Sequence, residues 1–214
     1  MNQINNLNKL NLASYFNKNT LQQVVEVNDN AIYSNIKRWL KQQRIIQLKK
    51  GLYVTNNYFI KTIDKTAYRE FIANKLKTPS YLSLEYVMQK YSLLTETVNS
   101  FTSVTLKKPN TYQNQLGLFT YSNIKQKLFL GYTICKRDGR EIKEATKAKA
   151  LFDFFYLRLQ RVKSVNKEFL ESFRLNLDEF SGKDVKEFMS YQKLSQNKKL
   201  NQVGIWLKAW SLKS

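Results

Sequence analysis

The amino-acid sequence predicts an α+β protein, with a small basic N-terminal domain of helices closed by a hairpin, then a mixed α/β domain with a helical C-terminal part. Three observations carry this. Apolar residues recur at i, i+3 and i+4 over most of the chain but change to strand-like runs near 45–54 and again between about 101 and 135. Six glycines and two prolines are too few for a loop-rich all-β design. Hydrophobic residues at 43% suffice for a packed core across 214 residues, one sizeable domain or two small ones.

In the first segment, 1–60, Ile4, Leu7 and Leu10 form a first helical stripe. Asn19 and Thr20 are candidate caps for a second helix with the face Leu21, Val24 and Val25. Asn28 or Asp29 caps a third, near 29–43, whose inner stripe is Ile32, Ile36 and Leu40, with Trp39 beside it. Its other face carries Asn30, Tyr33, Ser34, Lys37, Arg38 and Lys41. Two short apolar runs follow, Ile45-Ile46 and Leu52-Tyr53-Val54, joined by Lys49-Lys50-Gly51, which reads as a hairpin with a basic tip.

The second segment, to about 145, mixes helices and strands. Tyr68, Phe71, Ile72 and Leu76 line one helix, and Ser83 can cap another with Leu84, Val87, Met88 and Tyr91 inward. Strands are expected at 101–108, at 117–124, and at 128–135 with Leu128, Leu130, Tyr132 and Ile134 on one face. Asp138-Gly139 is a tight-hairpin signal. From 146 onward the pattern is helical. It begins with a helix apolar nearly all round (Ala148, Ala150, Leu151, Phe152, Phe154, Phe155, Leu157, Leu159), as expected of a central buried helix. The domain division predicted is 1–60 and 61–214.

Charge narrows the partners. Lys+Arg total 36 against 16 Asp+Glu, a net +20, so polyanions are the expected partners. The excess is most one-sided in residues 1–60, with 8 basic and 2 acidic groups, and no acid falls between Asp29 and Asp64. That acid-free run covers the third helix and the hairpin. Three helices followed by a basic hairpin is the order of a winged helix-turn-helix. In that fold the third helix enters the major groove and the hairpin tip meets phosphates. The candidate DNA-contacting residues are therefore Lys37, Arg38, Lys41, Arg44, Lys49 and Lys50, with Tyr33 and Ser34 as base readers.

Catalysis is not expected. There is no histidine, a single cysteine (Cys135) expected to be a buried or half-buried strand thiol, and no glycine-rich phosphate loop. Asp138, Glu141 and Lys143 imitate a nuclease spacing, but Asp138 sits in a turn only three residues from Glu141. No cofactor, metal site or catalytic residue is assigned. The polar start "MNQINNLNKLN", the lone cysteine and the lack of ~18 uninterrupted apolar residues predict a cytoplasmic protein without a membrane partner.

The succession "NTLQQVVEV", "IKRWLKQQRIIQLKKGLYV", "TPSYLSLEYVMQKYSLL", "FTSVTLKK", "GLFTYSNI" and "EATKAKALFDFFYL" resembles the AbiEi family, antitoxins of type IV toxin–antitoxin systems. Gly51-Leu52-Tyr53, Ser83-Leu84-Glu85 and Lys149-Ala150-Leu151 followed by Asp153 carry the resemblance. The chain departs from the family at Val87-Met88, where Ala-Leu is frequent, and at Lys147-Ala148, where Pro-Glu is usual. The resemblance implies an N-terminal winged helix that binds inverted repeats of double-stranded DNA in its own promoter. It also implies a C-terminal domain that counteracts a nucleotidyltransferase-type toxin, without requiring a stable complex. Two other readings remain open: direct occlusion of the toxin by the C-terminal helices, including Trp206 and Trp210, and a stand-alone winged-helix regulator.

Overall fold

A computed structural model describes residues 3–26 and 28–212, apart from the side chains of 3–5, 29 and 30. The expected placements of Ile4 and Asn30 lie outside the described residues. The chain is mixed α and β, and it divides into two compact units: residues 1–69 with 112–117, and residues 70–111 with 118–214.

The first unit contains α1 (Gln3–Asn8), β1 (Phe16–Asn17), α2 (Lys18–Val25), α3 (Asp29–Lys41), β2 (Ile45–Lys49), β3 (Leu52–Thr55) and α4 (Asn56–Lys61). Helix α3 forms where the apolar period predicts it. Asn28 caps it, its side chain accepting from the Ala31 N–H at 2.9 Å. Helix α2 starts earlier than the Asn19 or Thr20 expectation. Asn17 is its cap, accepting from the Thr20 N–H at 2.8 Å. The cap is the last residue of β1, a two-residue strand too short to register as a periodic signal.

Strands β2 and β3 pair antiparallel, with β1 on the far side of β3. The register runs Ile45↔Thr55, Ile46↔Val54 and Gln47↔Tyr53, then shifts through a bulge so that Lys49 lies opposite Leu52. A bulge inserts one unpaired residue and increases local twist. Here it leaves Leu48 buried while Lys50 is exposed at the tip. Leu10, Phe16, Leu21, Val25, Ile32, Ile36, Trp39, Ile45 and Tyr53 belong to one core, with Val24 and Leu40 at its edge.

Helix α5 (Lys65–Leu76) runs across the division between the units. Then come β4 (Ser80–Leu82), α6 (Leu84–Lys90), β5 (Ser100–Thr105), β6 (Asn110–Asn114), β7 (Gly117–Asn123), β8 (Tyr132–Arg137) and β9 (Arg140–Ala145). The sheet order is β6-β7-β5-β4-β9-β8; β5/β7 and β4/β9 are parallel, and β4/β5 and β8/β9 antiparallel. Asp138 (φ 47°) and Gly139 (φ 72°) close the β8–β9 hairpin in the left-handed conformation its two-residue turn requires.

Helix α7 (Lys147–Arg158), capped by Thr146, is buried continuously from Ala148 to Tyr156, as its all-round apolar pattern predicts. It packs against α6 and α9 (Gly182–Ser195), with α8 (Lys167–Glu171) and α10 (Lys198–Ser211) completing the helical part. Trp206 and Trp210 of α10 are half-buried, and the Trp206 ring meets Phe155 edge-on at 6.5 Å.

Two expectations are corrected. A strand was expected from 128 to 135, but Gln126–Leu128 form a 3-10 turn and the strand begins at Tyr132. Gly131 at φ 77° breaks the extended backbone, and Ile134 is 60% exposed while Leu128 is buried, so the four apolar residues share no core face. The physical reason is that β8 is an edge strand, where alternation does not report burial. Ser83 precedes α6 but makes no capping bond. The Thr102 hydroxyl accepts from the Tyr86 N–H at 3.0 Å instead.

Candidate nucleic-acid interface

Helix α3 has two faces because its period is near 3.6 residues. Ile32, Ile36 and Trp39 are buried, and Tyr33, Ser34, Lys37, Arg38 and Lys41 are exposed. Tyr33, Lys37 and Lys41 succeed one another four residues apart along one line of the exposed face, and Ser34 and Arg38 lie beside them. The helix ends at Lys41, Gln43 turns through φ 53°, and exposed Arg44 leads directly into β2.

The side chains are partly ordered by neighbours. Arg38 donates to the Asn35 side-chain oxygen at 2.8 Å and lies 5.9 Å from the Trp39 ring. Arg44 donates to Gln42 Oε1 at 3.1 Å. Among the described residues, no carboxylate pairs with Lys37, Lys41, Arg44 or Lys50. Their charge is therefore available to an external anion.

At the hairpin, Lys49 is half-buried with its ammonium 6.0 Å from the Tyr112 ring, and Lys50 is exposed. Gly51 has φ 80° in open space, so glycine is required there by backbone conformation and not by crowding. Asn114 donates to the Leu48 carbonyl at 2.8 Å, which ties the 112–117 segment to the same hairpin.

All eight residues singled out from the sequence thus lie on α3, the link after it, or the hairpin, seven exposed and Lys49 half-buried. Sequence reasoning missed Lys18. Its ammonium donates to the Tyr33 hydroxyl at 3.2 Å and sits 4.2 Å from the centre of that ring. Placing the start of α2 at the Asn17 cap would have put Lys18 in its first turn and drawn attention to it. It also missed Tyr112 and Asn114, which are far from the hairpin in sequence and carry no charge signal.

The second unit uses its charges differently. Lys149 and Asp153, one turn apart on α7, form an ion pair with neither side chain exposed. Asp153 also accepts from the Ser83 hydroxyl at 2.7 Å and the Tyr81 hydroxyl at 3.0 Å. Burial pushes the Asp153 carboxyl up and the Lys149 ammonium down, each shift opposed by the other's charge. A second cluster joins buried Glu70 and Glu144 through Lys90 (2.6 and 2.7 Å) and Arg137 (2.6 and 2.9 Å).

The remaining sequence candidates are placed as follows. Asp138 pairs with Arg140 in the hairpin turn, and Glu141 is exposed on β9. Cys135 is half-buried on β8, its thiol donating to the Ile142 carbonyl at 3.4 Å, and burial pushes its pKa up. Among the described residues, no group of three or more His, Cys, Asp or Glu could hold a metal ion, and no helix is long and apolar enough to cross a membrane. Comparison with protein-family models and with curated proteins finds no match to this chain.

Proposed function

We propose that residues 1–60 act as a winged helix-turn-helix that binds double-stranded DNA, and that the protein is the autorepressing antitoxin of a type IV toxin–antitoxin system. The observation that carries the DNA reading is a run of cations with no acid between them in sequence, on α3, the link after it and the β2–β3 hairpin: Lys37, Arg38, Lys41, Arg44, Lys49 and Lys50. A helix face of this kind offers donors to base edges in the major groove, and a basic hairpin beside it neutralises phosphates. Arg38, steadied by Asn35, is the best placed for a directed contact, and Tyr33 and Ser34 are the uncharged readers. The antitoxin part rests on the resemblance to the AbiEi family, with residues 61–214 as the neutralising domain and a nucleotidyltransferase-type toxin as its target.

Two experiments test this. Binding to the DNA upstream of the gene should weaken with salt along a slope of about −5 in log K against log salt if all six cations contact phosphate. Binding that ignores salt would sink the DNA reading. Co-expression with the product of the neighbouring gene should restore growth, and the two proteins should separate on gel filtration. A stoichiometric complex would instead favour direct occlusion, and a neighbour unrelated to nucleotidyltransferases would leave a stand-alone regulator.

A further inference from the structure

The second unit contains an open groove of about 1470 Å³, larger than the roughly 300–1,000 Å³ that encloses a small molecule. Its size suits a segment of a polymer. The sheet strands that line it carry small hydroxyl residues on the face toward it. The parallel β5–β7 register sets Thr102 opposite Thr120, so that Ser100, Thr102, Thr120 and Ser122 share one face; the buried Thr102 hydroxyl is held by the Ser83 carbonyl and the Tyr86 N–H, which leaves those of Ser100, Thr120 and Ser122 to the groove. The walls carry Lys125, Arg158, Arg161 and Lys198, from the end of β7, the end of α7 and the turn after it, and the start of α10. Glu85 is the one acid in this lining, and it is engaged by Arg158 at 3.1 Å. Lys125, Arg161 and Lys198 are exposed and have no carboxylate partner among the described residues.

We infer that this groove binds single-stranded RNA, with Lys125, Arg161 and Lys198 on phosphates and the hydroxyls of Ser100, Thr120 and Ser122 on ribose hydroxyls. An acidic peptide would satisfy the cations, but it leaves a floor of hydroxyls facing mostly apolar or carbonyl groups. A ribose–phosphate strand supplies both anions and paired donor–acceptor hydroxyls. The inference does not depend on duplex binding by residues 1–60.

The test uses the full chain and fluorescence anisotropy with a labelled oligouridine of about twelve nucleotides, within the site sizes of single-strand binders. Three phosphate contacts predict a log–log salt slope of about −2. The Lys125→Ala/Arg161→Ala/Lys198→Ala variant should bind at least about tenfold more weakly at low salt, with its slope close to zero. Lys125→Arg with Lys198→Arg should bind as the unaltered protein does, separating lost charge from lost fold. Lys49→Ala/Lys50→Ala should leave RNA binding within about twofold while weakening duplex DNA. The inference is overturned if the triple alanine variant binds RNA within about twofold of the unaltered protein, or if the hairpin variant carries the loss. Oligothymidine binding as tightly as oligouridine would also overturn it. So would an oligoglutamate that binds more tightly with the same dependence on the three cations.

Discussion

The lysines and arginines of α3 and its hairpin do opposite work to the buried cation pairs of the second unit. On α3, the link after it and the β2–β3 hairpin they stand exposed, except half-buried Lys49, with no carboxylate on Lys37, Lys41, Arg44 or Lys50 among the described residues. In the second unit Lys149 is wholly buried against Asp153, and Lys90 and Arg137 bridge two buried glutamates. The difference lies in where the acids are. Residues 1–60 have two, neither in the α3–hairpin run after Asp29, whereas Glu70, Glu144 and Asp153 each sit within reach of a cation in the second unit. An exposed, acid-free cation contributes little to folding and keeps its charge for a partner. A buried, paired one is committed to the fold, since a bare charge in that position would be costly. Net charge alone therefore does not locate function in this molecule.

The sharpest way to break this contrast is to remove Asp153. Asp153→Ala strands the Lys149 charge among Tyr81, Phe152 and Tyr191 and deprives two hydroxyls of their acceptor. A loss of about 3–5 kcal/mol in urea denaturation is expected. Replacing both partners, Lys149→Met with Asp153→Leu, should recover most of it. A single variant costing under about 1 kcal/mol would show that the pair is not a dry one.

Alkaline pH acts on the same unit. Burial pushes the hydroxyls of Tyr81, Tyr86 and Tyr191 above their ordinary range, each assisted by a nearby carboxylate: Asp153, Glu70 and Glu187 respectively. Because their folded values lie above the unfolded value near 10, the stability they contribute is complete below about pH 10 and lost above it. Each tyrosine still neutral in the fold adds about 1.4 kcal/mol of loss per pH unit. Denaturation midpoints from pH 9 to pH 11 measure the slope, and Tyr86→Phe should reduce it by one group's share.

A smaller effect is expected at the hairpin. Lys49→Ala with Lys50→Ala should weaken duplex DNA binding about equally across sequences and reduce the salt slope by about 2, with thermal stability unchanged. A stability loss there would place Lys49, which contacts Tyr112, among the structural cations. The smallest change is Asn28→Ala, which removes the α3 cap bond and should cost about 1 kcal/mol in the first unit. Its readout is the chemical-denaturation midpoint, and an unchanged midpoint would mean that packing alone sets the start of α3.

Much of the fold and of this face is legible in the sequence wherever a single period persists. Helix α3, the β2–β3 hairpin and the buried α7 follow from the spacing of Ile32/Ile36, the Lys49-Lys50-Gly51 tip and the run from Ala148 to Phe155. The signal fails where burial depends on a distant neighbour. The three-residue β4 has no period to read, and β8 carries apolar residues on an edge strand. Ser83 looks like a cap but gives its hydroxyl to an aspartate 70 residues away.

By itself, then, the sequence determined the local elements and the acid-free run of charge that follows Asp29 through α3 and its hairpin, because helical period, turn chemistry and charge order are properties of neighbouring residues. Only the tertiary structure decided which charges stay exposed and which are buried. It set Lys18 against Tyr33, brought Asp153 to Ser83 and Tyr81, and lined one groove with Lys125, Arg161 and Lys198. Those pairings join residues far apart in the chain, and packing, not spacing, chooses them.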